Sequence, residues 1–112
     1  MKTIEVVIRP SRLDEVKEAV TVLGVGGMTV TDVHGCGHQP ARPVRQYAAT
    51  HTIDLLPKKK LEVVVPDALV DPVVSGICKV ARTGSPGDGM VFVLSIEAAT
   101  RIRTGEVGEA AL

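Results

Sequence analysis

Aromatic residues are nearly absent from this sequence, which contains one Tyr, one Phe and no Trp. Proteins that bind single-stranded nucleic acids usually stack the bases on aromatic side chains. The formal net charge is zero, so no general electrostatic attraction to nucleic acids or acidic membranes is expected. The composition therefore predicts a protein without a nucleic-acid partner.

Cysteines and long apolar runs are also scarce. Cys36 and Cys78 are too few for a disulfide framework. No apolar run is long enough to cross a bilayer, and the first residues alternate like a strand instead of forming an apolar signal segment. These features predict a cytoplasmic protein. The length of 112 residues, 45% of them hydrophobic, predicts a single domain over residues 1–112.

The hydrophobic pattern predicts four strands and two helices. Period-two or β-branched runs predict strands in "TIEVVIRP", "MTVTDV", "KKKLEVVVP" and "MVFVLSI". Helical spacing is found in "SRLDEVKEAVTVLG" and "DALVDPVVSGICKVAR". The βαββαβ order predicts an α+β, ferredoxin-like sandwich with two helices on one face of an antiparallel four-stranded sheet. Apolar residues occur at both odd and even positions of the strands, so both faces of the sheet are partly apolar. This indicates that self-association covers the helix-free face.

Helix ends are predicted from local signals. Ser11, with Asp14 three residues later, predicts a capping box for the first helix, which we expect to end at Gly24. Asp67 is expected to cap the second helix. Pro72 is expected in or near the first turn of that helix, where a missing N–H is tolerated.

The remaining segments are predicted to be irregular or solvated. Residues 37–54 form a long loop in which Pro40 and Pro43 exclude a regular central strand, and loops of this length are usually functional or disordered. The lysines at 58–60 suggest a solvated edge that discourages strand pairing. Residues 98–112 are expected to form a polar tail.

Two groups of residues are suited to binding anions. The stretch "TGSPGDGM" places Gly84, Gly87 and Gly89 where backbone N–H groups can form an anion nest, although a simple helix-to-strand turn also fits the spacing. Arg101 and Arg103 lie two residues apart, so an extended chain presents both guanidinium groups on one side, as suits polyphosphate oxygens. A solvated tail is the alternative for these arginines.

The stretch "HGCGH" offers metal-ligating side chains. His34, Cys36 and His38 alternate, and His51 is the candidate for a fourth ligand of zinc or copper. A redox role for the cysteine is a second interpretation. A third is that the glycines let a ligand approach the backbone at a strand end. No spacing of Ser, His, Asp or Glu residues predicts an enzyme.

The combination of segments resembles the PII signal-transduction family, the nitrogen regulatory proteins. The resemblance is carried by "KTIEVVIRPSRLDEVKEAV", "GVGGMTVTDVHGCGHQ", "DLLPKKKLEVVVPDALVD" and "ARTGSPGDGMVFVLSIEAATRIRTGE". It implies a homotrimer with ATP or ADP between subunits. It also implies that residues 37–54 form the family's T-loop, which docks on a partner such as a membrane transporter or an enzyme.

The resemblance also implies roles for individual residues. Some residues are expected to contact the base and ribose, some to contact the phosphates, and some to let the backbone approach the nucleotide. Together these nucleotide-binding residues are Thr29, Gly35, Gly37, His38, Gln39, Glu62, Val64, Gly87, Asp88, Gly89, Met90, Arg101 and Arg103. The arginine pair comes from the adjoining subunit. Gln39 and Lys58 match residues that hold Mg and 2-oxoglutarate, and Gln39 is expected to couple the ligand to the loop.

Departures from the family pattern indicate a divergent branch. Met90 stands where a basic residue usually follows the "GDG", and His38 stands where an arginine is usual. Gln46 and His51 occupy the two tyrosine places of the T-loop, so we expect signalling by loop conformation without uridylylation. A nucleotide-sensing regulator is the first hypothesis. The alternative is a metal or redox sensor that uses His34, Cys36, His38 and His51.

Overall fold

The computed structural model describes residues 1–36 and 55–112, so the predicted T-loop lies outside the described residues. The strands are β1 (Lys2–Ile8), β2 (Thr29–Gly35), β3 (Leu56–Val65) and β4 (Gly89–Ser95). The helices are α1 (Leu13–Thr21) and α2 (Asp67–Ala81), and short 3-10 helices cover Pro10–Arg12 and Gly108–Ala111. The predicted element types and order are therefore confirmed in this part of the chain. No described helix has the length and apolar character needed to cross a membrane.

The four strands form one antiparallel sheet in the order β2-β3-β1-β4. Strand β1 is internal and pairs along its whole length with β3 on one side and β4 on the other. Each helix connects two strands that follow each other along the chain but are not neighbours in the sheet, and the two helices pack against each other on one face. This arrangement confirms the predicted ferredoxin-like α+β fold.

The core lies between the helices and one face of the sheet. Every second residue is buried from Ile4 to Ile8 of β1 and from Leu61 to Val65 of β3, which is the periodicity of a half-buried strand. The helices contribute apolar residues at helical spacing. The fully buried side chains are Ile4, Val6, Ile8, Val16, Val20, Leu61, Val63, Val65, Val73 and Ile77.

The opposite, helix-free face is partly apolar and partly charged. Along β4, Met90, Phe92 and Leu94 alternate on this face and remain 60%, 48% and 46% exposed. At its centre, Lys60 lies 3.0 Å from Glu5 and 3.2 Å from Glu62. The hydrogen bonds that the Lys60 ammonium donates to these two carboxylates, first of all to Glu5, raise the pKa of Lys60. The unburied apolar row is the part of this face that a second subunit could cover.

Both predicted helix caps are wrong. Ser11 lies inside the 3-10 helix, and the residue before α1 is Arg12, whose guanidinium lies 3.0 Å from Glu15 in the first turn. Pro10 fixes the backbone for this 3-10 turn, so the chain enters α1 without a side-chain cap. Asp67 is the first residue of α2 and binds the amino group of Met1 at 2.9 Å, which lowers the pKa of its carboxyl.

Pro72 lies in the second turn of α2, beyond the position expected for it. The carbonyl of Ala68, four residues earlier, therefore lacks its usual helical donor. The end of α1 agrees with the prediction, because Gly24 follows the helix with φ +88° and donates its N–H to Thr21 at 3.0 Å.

The segment expected to be a polar tail is folded. Thr100 pairs with Val107, and the N–H of Arg101 donates to the carbonyl of Glu106 at 2.9 Å. The turn closes with Gly105, which has φ +74° and donates to the carbonyl of Arg101 at 2.8 Å. This segment has few apolar residues and no hydrophobic periodicity, so its backbone turn could not be predicted from the sequence pattern.

Removing core volume should destabilise the fold. Ile77 is fully buried between α2 and the sheet, so Ile77→Ala is expected to lower the free energy of unfolding by about 2–5 kcal/mol. Val22→Ala is the control, because Val22 is 74% exposed and its truncation should cost less than about 0.5 kcal/mol. Denaturant titration measures both; equal effects would contradict the assignment of the core.

Candidate functional site

Charged side chains from β3, from the residue after β1 and from the residue before β4 meet at one end of the sheet. Ile8, the last residue of β1, lies opposite Lys59 on β3 and Gly89 on β4. The residues one step beyond this row are Lys58, Arg9 and Asp88. The antiparallel register therefore brings together two cations and a carboxylate that are far apart in the sequence.

The segment from Thr83 to Gly89 connects α2 to β4 and depends on glycine. Gly84, Gly87 and Gly89 have φ values of +88°, +99° and +113°, which side chains of L-residues rarely permit. We call residues 83–89 the glycine loop. Positive φ values at glycine are compatible with both the predicted anion nest and a simple helix-to-strand turn.

The carboxylate of Asp88 holds the glycine loop together. One oxygen accepts the Thr83 hydroxyl and the Nε–H of Arg9, the latter at 3.2 Å. The other oxygen accepts the backbone N–H groups of Thr83 and Gly84 at 2.8 and 2.9 Å. The Thr83 hydroxyl makes the largest contribution to holding the pKa of Asp88 far below its usual range, followed by the Thr83 backbone N–H. The carboxylate is therefore ionised throughout the neutral and mildly acidic range.

Lys58 is the buried charged residue in the described part of the chain, with only 8% of its surface exposed. Its ammonium group donates to the carbonyl of Gly87 at 2.8 Å. Burial lowers the pKa of Lys58, and the charge of Arg9 lowers it further. The interpretation of the lysines as a solvated edge was wrong, because β3 is paired on both sides. Lys59 likewise is bound, to Asp32 on β2.

Arg9 also contacts the backbone of the glycine loop. Its guanidinium donates to the carbonyl of Pro86 at 2.6 Å, beside its contact with Asp88. Arg9 and Lys58 therefore bind neighbouring carbonyls of the same loop. Neither Arg9 nor Thr83 was predicted as a site residue. The available signal was positional: Arg9 directly follows β1 at the sheet end where Lys58 lies near the start of β3.

The residues expected to contact a base and ribose lie farther along the helix-free face. Thr29 on β2 lies directly opposite Glu62 on β3, and Val64 is two residues on from Glu62. Glu62 lies four positions after Lys58, which corresponds to about 13 Å along an antiparallel strand. The structure thus places these three residues together and away from the glycine loop.

The two predicted phosphate-binding arginines differ in their surroundings. Arg101 donates to Glu106 at 3.0 Å and to the carbonyl of Leu112 at 3.3 Å. Arg103 has no hydrogen bond or ion pair with the residues that the structure describes. Within residues 1–36 and 55–112, no such contact joins either arginine to the glycine loop. One subunit alone therefore does not bring the arginines to the other predicted phosphate ligands.

Part of the predicted site lies outside the described residues. The predicted site residues outside the described part of the chain are Gly37, His38, Gln39 and His51. His34 and Cys36 are described and exposed at the end of β2 and just beyond it. Among described residues, no group of three His, Cys, Asp or Glu side chains is arranged to hold a metal ion.

The conformation of Gly89 makes a prediction about the glycine loop. A Cβ at this position would lie 1.7 Å from the carbonyl oxygen of Val7, a backbone atom that cannot rotate away. Gly89→Ala is expected to reduce the unfolding free energy by more than about 4 kcal/mol or to prevent folding.

The matched control is Gly84→Ala, because Gly84 has a similar positive φ and its Cβ would have nothing within 4 Å. It should cost only the conformational penalty of about 1–2 kcal/mol. Thermal and denaturant unfolding compare the two variants. A Gly89→Ala protein as stable as Gly84→Ala would show that the described path of this loop is wrong.

The chain is similar to known proteins over its full length. The family described as "Nitrogen regulatory protein P-II" matches residues 1–106. The chain is 48% identical to "Nitrogen regulatory protein P-II" of Haemophilus influenzae over 112 residues, all of both chains. It is 46% identical to "Nitrogen regulatory protein P-II 1" of Escherichia coli strain K12 and 47% identical to "Nitrogen regulatory protein P-II" of Rhodobacter capsulatus, again over the full length of each chain. This chain therefore belongs to the P-II family of nitrogen regulatory, signal-transducing proteins.

Proposed function

We propose that this P-II protein binds ATP or ADP in clefts between the subunits of a homotrimer. Bound nucleotide then controls a partner protein, such as a membrane transporter, through the segment 37–54. Its action is regulatory and not enzymatic. The observation that carries the proposal is the glycine loop, a glycine-dependent turn flanked by two cations at the end of the sheet.

The layout of the helix-free face supports a nucleotide as the ligand. Thr29, Glu62 and Val64 would contact the base and ribose, and the loop from Gly87 to Met90 would contact the phosphates. The separation of about 13 Å between these two regions suits an extended nucleoside polyphosphate. At Gly35, an added Cβ would meet only the Cγ of Lys58, at 3.9 Å, so packing leaves room for a ligand there.

The arginines support a cleft shared by two subunits. Arg103 is exposed, and neither it nor Arg101 contacts the glycine loop of its own subunit in the described part of the chain. A planar guanidinium pairs well with phosphate oxygens. We assign both arginines to the phosphates of a nucleotide held mainly by the neighbouring subunit. Gln39 and Lys58 are assigned to Mg and 2-oxoglutarate, which would bind beside those phosphates.

Calorimetry tests the proposed ligands. ATP, ADP and AMP are titrated separately, each with and without Mg and 2-oxoglutarate. The proposal expects saturable binding of ATP and ADP that survives chelators and thiol reagents. Loss of binding under either treatment would favour the metal or redox sensor, and an absence of binding to all three nucleotides would refute the proposal.

Removing Arg103 should weaken nucleotide binding. A hydrogen bond to a charged group contributes about 1.5–3 kcal/mol, so Arg103→Ala is expected to raise the Kd for ATP by about 10- to 150-fold. Lys17→Ala is the control, because it removes one positive charge from an exposed position of α1. Calorimetric titration with ATP measures both variants. If they bind ATP equally well, Arg103 does not contact the phosphates.

The assembly should be trimeric in solution. The exposed apolar row of Met90, Phe92 and Leu94 would be covered by neighbouring subunits. Light scattering coupled to size-exclusion chromatography should report three times the chain mass at micromolar concentration, without added nucleotide. Phe92→Glu places a charge within the row and should shift the mass downward. A stable wild-type monomer would exclude this assembly.

A further inference from the structure

The carboxylate of Asp88 faces into its own loop and has no free position for a ligand. A carboxylate has about four acceptor positions, and four donors occupy them: two groups of Thr83, the N–H of Gly84 and the Nε–H of Arg9. A carboxylate directed at a phosphate would repel it. The side chain of Asp88 is therefore not placed to contact a phosphate, although Asp88 lies in the loop that is assigned to the phosphates.

The carbonyl groups of the loop are also directed inward. Arg9 binds the carbonyl of Pro86 and Lys58 binds the carbonyl of Gly87. In a trans peptide the N–H points opposite to the carbonyl, and the described residues contain no cis peptide. The N–H groups of Gly87 and Asp88 consequently point away from these two cations. Neither N–H donates to another described residue.

We propose that Asp88 is a positioning residue, which fixes the loop through Thr83 so that the backbone N–H groups of Gly87 and Asp88 can bind nucleotide phosphates. This inference rests on the proposed nucleotide function and assigns the side chain of Asp88 no contact with the ligand. Thr83 is the hydroxyl that completes the arrangement. Arg9 has two roles, because it offsets the charge of Asp88 and holds the carbonyl of Pro86.

The position of Thr83 makes it the better site for mutation. Thr83 is exposed, so Thr83→Val removes one hydroxyl from the surface and keeps the shape and the backbone N–H. Thr83→Ser restores the hydroxyl. The variants are titrated by calorimetry with ATP and with adenosine, which lacks phosphates. We expect Thr83→Val to weaken ATP binding by roughly 2- to 12-fold, to leave adenosine unchanged, and to be rescued by Thr83→Ser.

Asp88→Asn separates positioning from simple electrostatics. If Asp88 acted only through its charge, removing that charge near phosphates would tighten ATP binding. Positioning predicts weaker ATP binding, because an amide cannot accept all four of the bonds that the carboxylate accepts. Unchanged or tighter ATP binding by Asp88→Asn would overturn the inference.

Amide hydrogen exchange gives a readout that does not require nucleotide. In the protein without ligand, Thr83→Val should increase exchange at the backbone N–H groups of positions 83 and 84 but not in the core strand β1. Unchanged exchange together with unchanged ATP affinity would overturn the positioning role. An equal loss of ATP and adenosine binding would do so as well. Failure of the proposed function looks different, since the wild-type protein itself would then not bind ATP.

Discussion

The antiparallel pairing of β1 with both β3 and β4 is the constraint on which the rest of the structure depends. The register at Ile8 determines which residues meet at the end of the sheet. A slip of one residue would turn every side chain of a strand to the other face and bury charged groups in the core. The register that buries the apolar side chains therefore also places Lys58, Arg9 and Asp88 side by side at the glycine loop.

These three charged residues hold the backbone of the glycine loop in its conformation. Arg9 and Lys58 each bind a carbonyl of the glycine loop, and Asp88 binds the N–H groups at its start. Fixed backbone donors bind an anion without first losing conformational freedom, which favours affinity. Met90, which follows the loop, is uncharged, and among the described residues Arg9 and Lys58 are the cations that bind carbonyls of this loop.

Much of the fold could be predicted because its strands and helices have clear periods. Ile4, Val6 and Ile8 alternate, and Val16 and Val20 share one helical face, so these elements and their buried faces follow from local patterns. The two helix caps were predicted wrongly from local signals. Pro10 starts a 3-10 turn that contains Ser11, and Asp67 binds the amino group of Met1, a contact that the local sequence does not indicate. The roles of Arg9 and Lys58 depend on sheet register, which brings together residues up to 79 positions apart, and the role of Thr83 depends on the local path of the glycine loop.

The central claim is that one nucleotide site is shared by two subunits, and mixed trimers test it most directly. Arg103→Ala removes an arginine, and Glu62→Ala removes a residue that is assigned to the base and ribose and lies outside the apolar row of Met90, Phe92 and Leu94. Each variant alone should bind ATP weakly. If the two act from opposite sides of a cleft, random co-assembly restores about a quarter of the clefts to wild-type composition. The account predicts that calorimetry of the mixed trimers finds this tight fraction; mixed trimers without any tight site would contradict it.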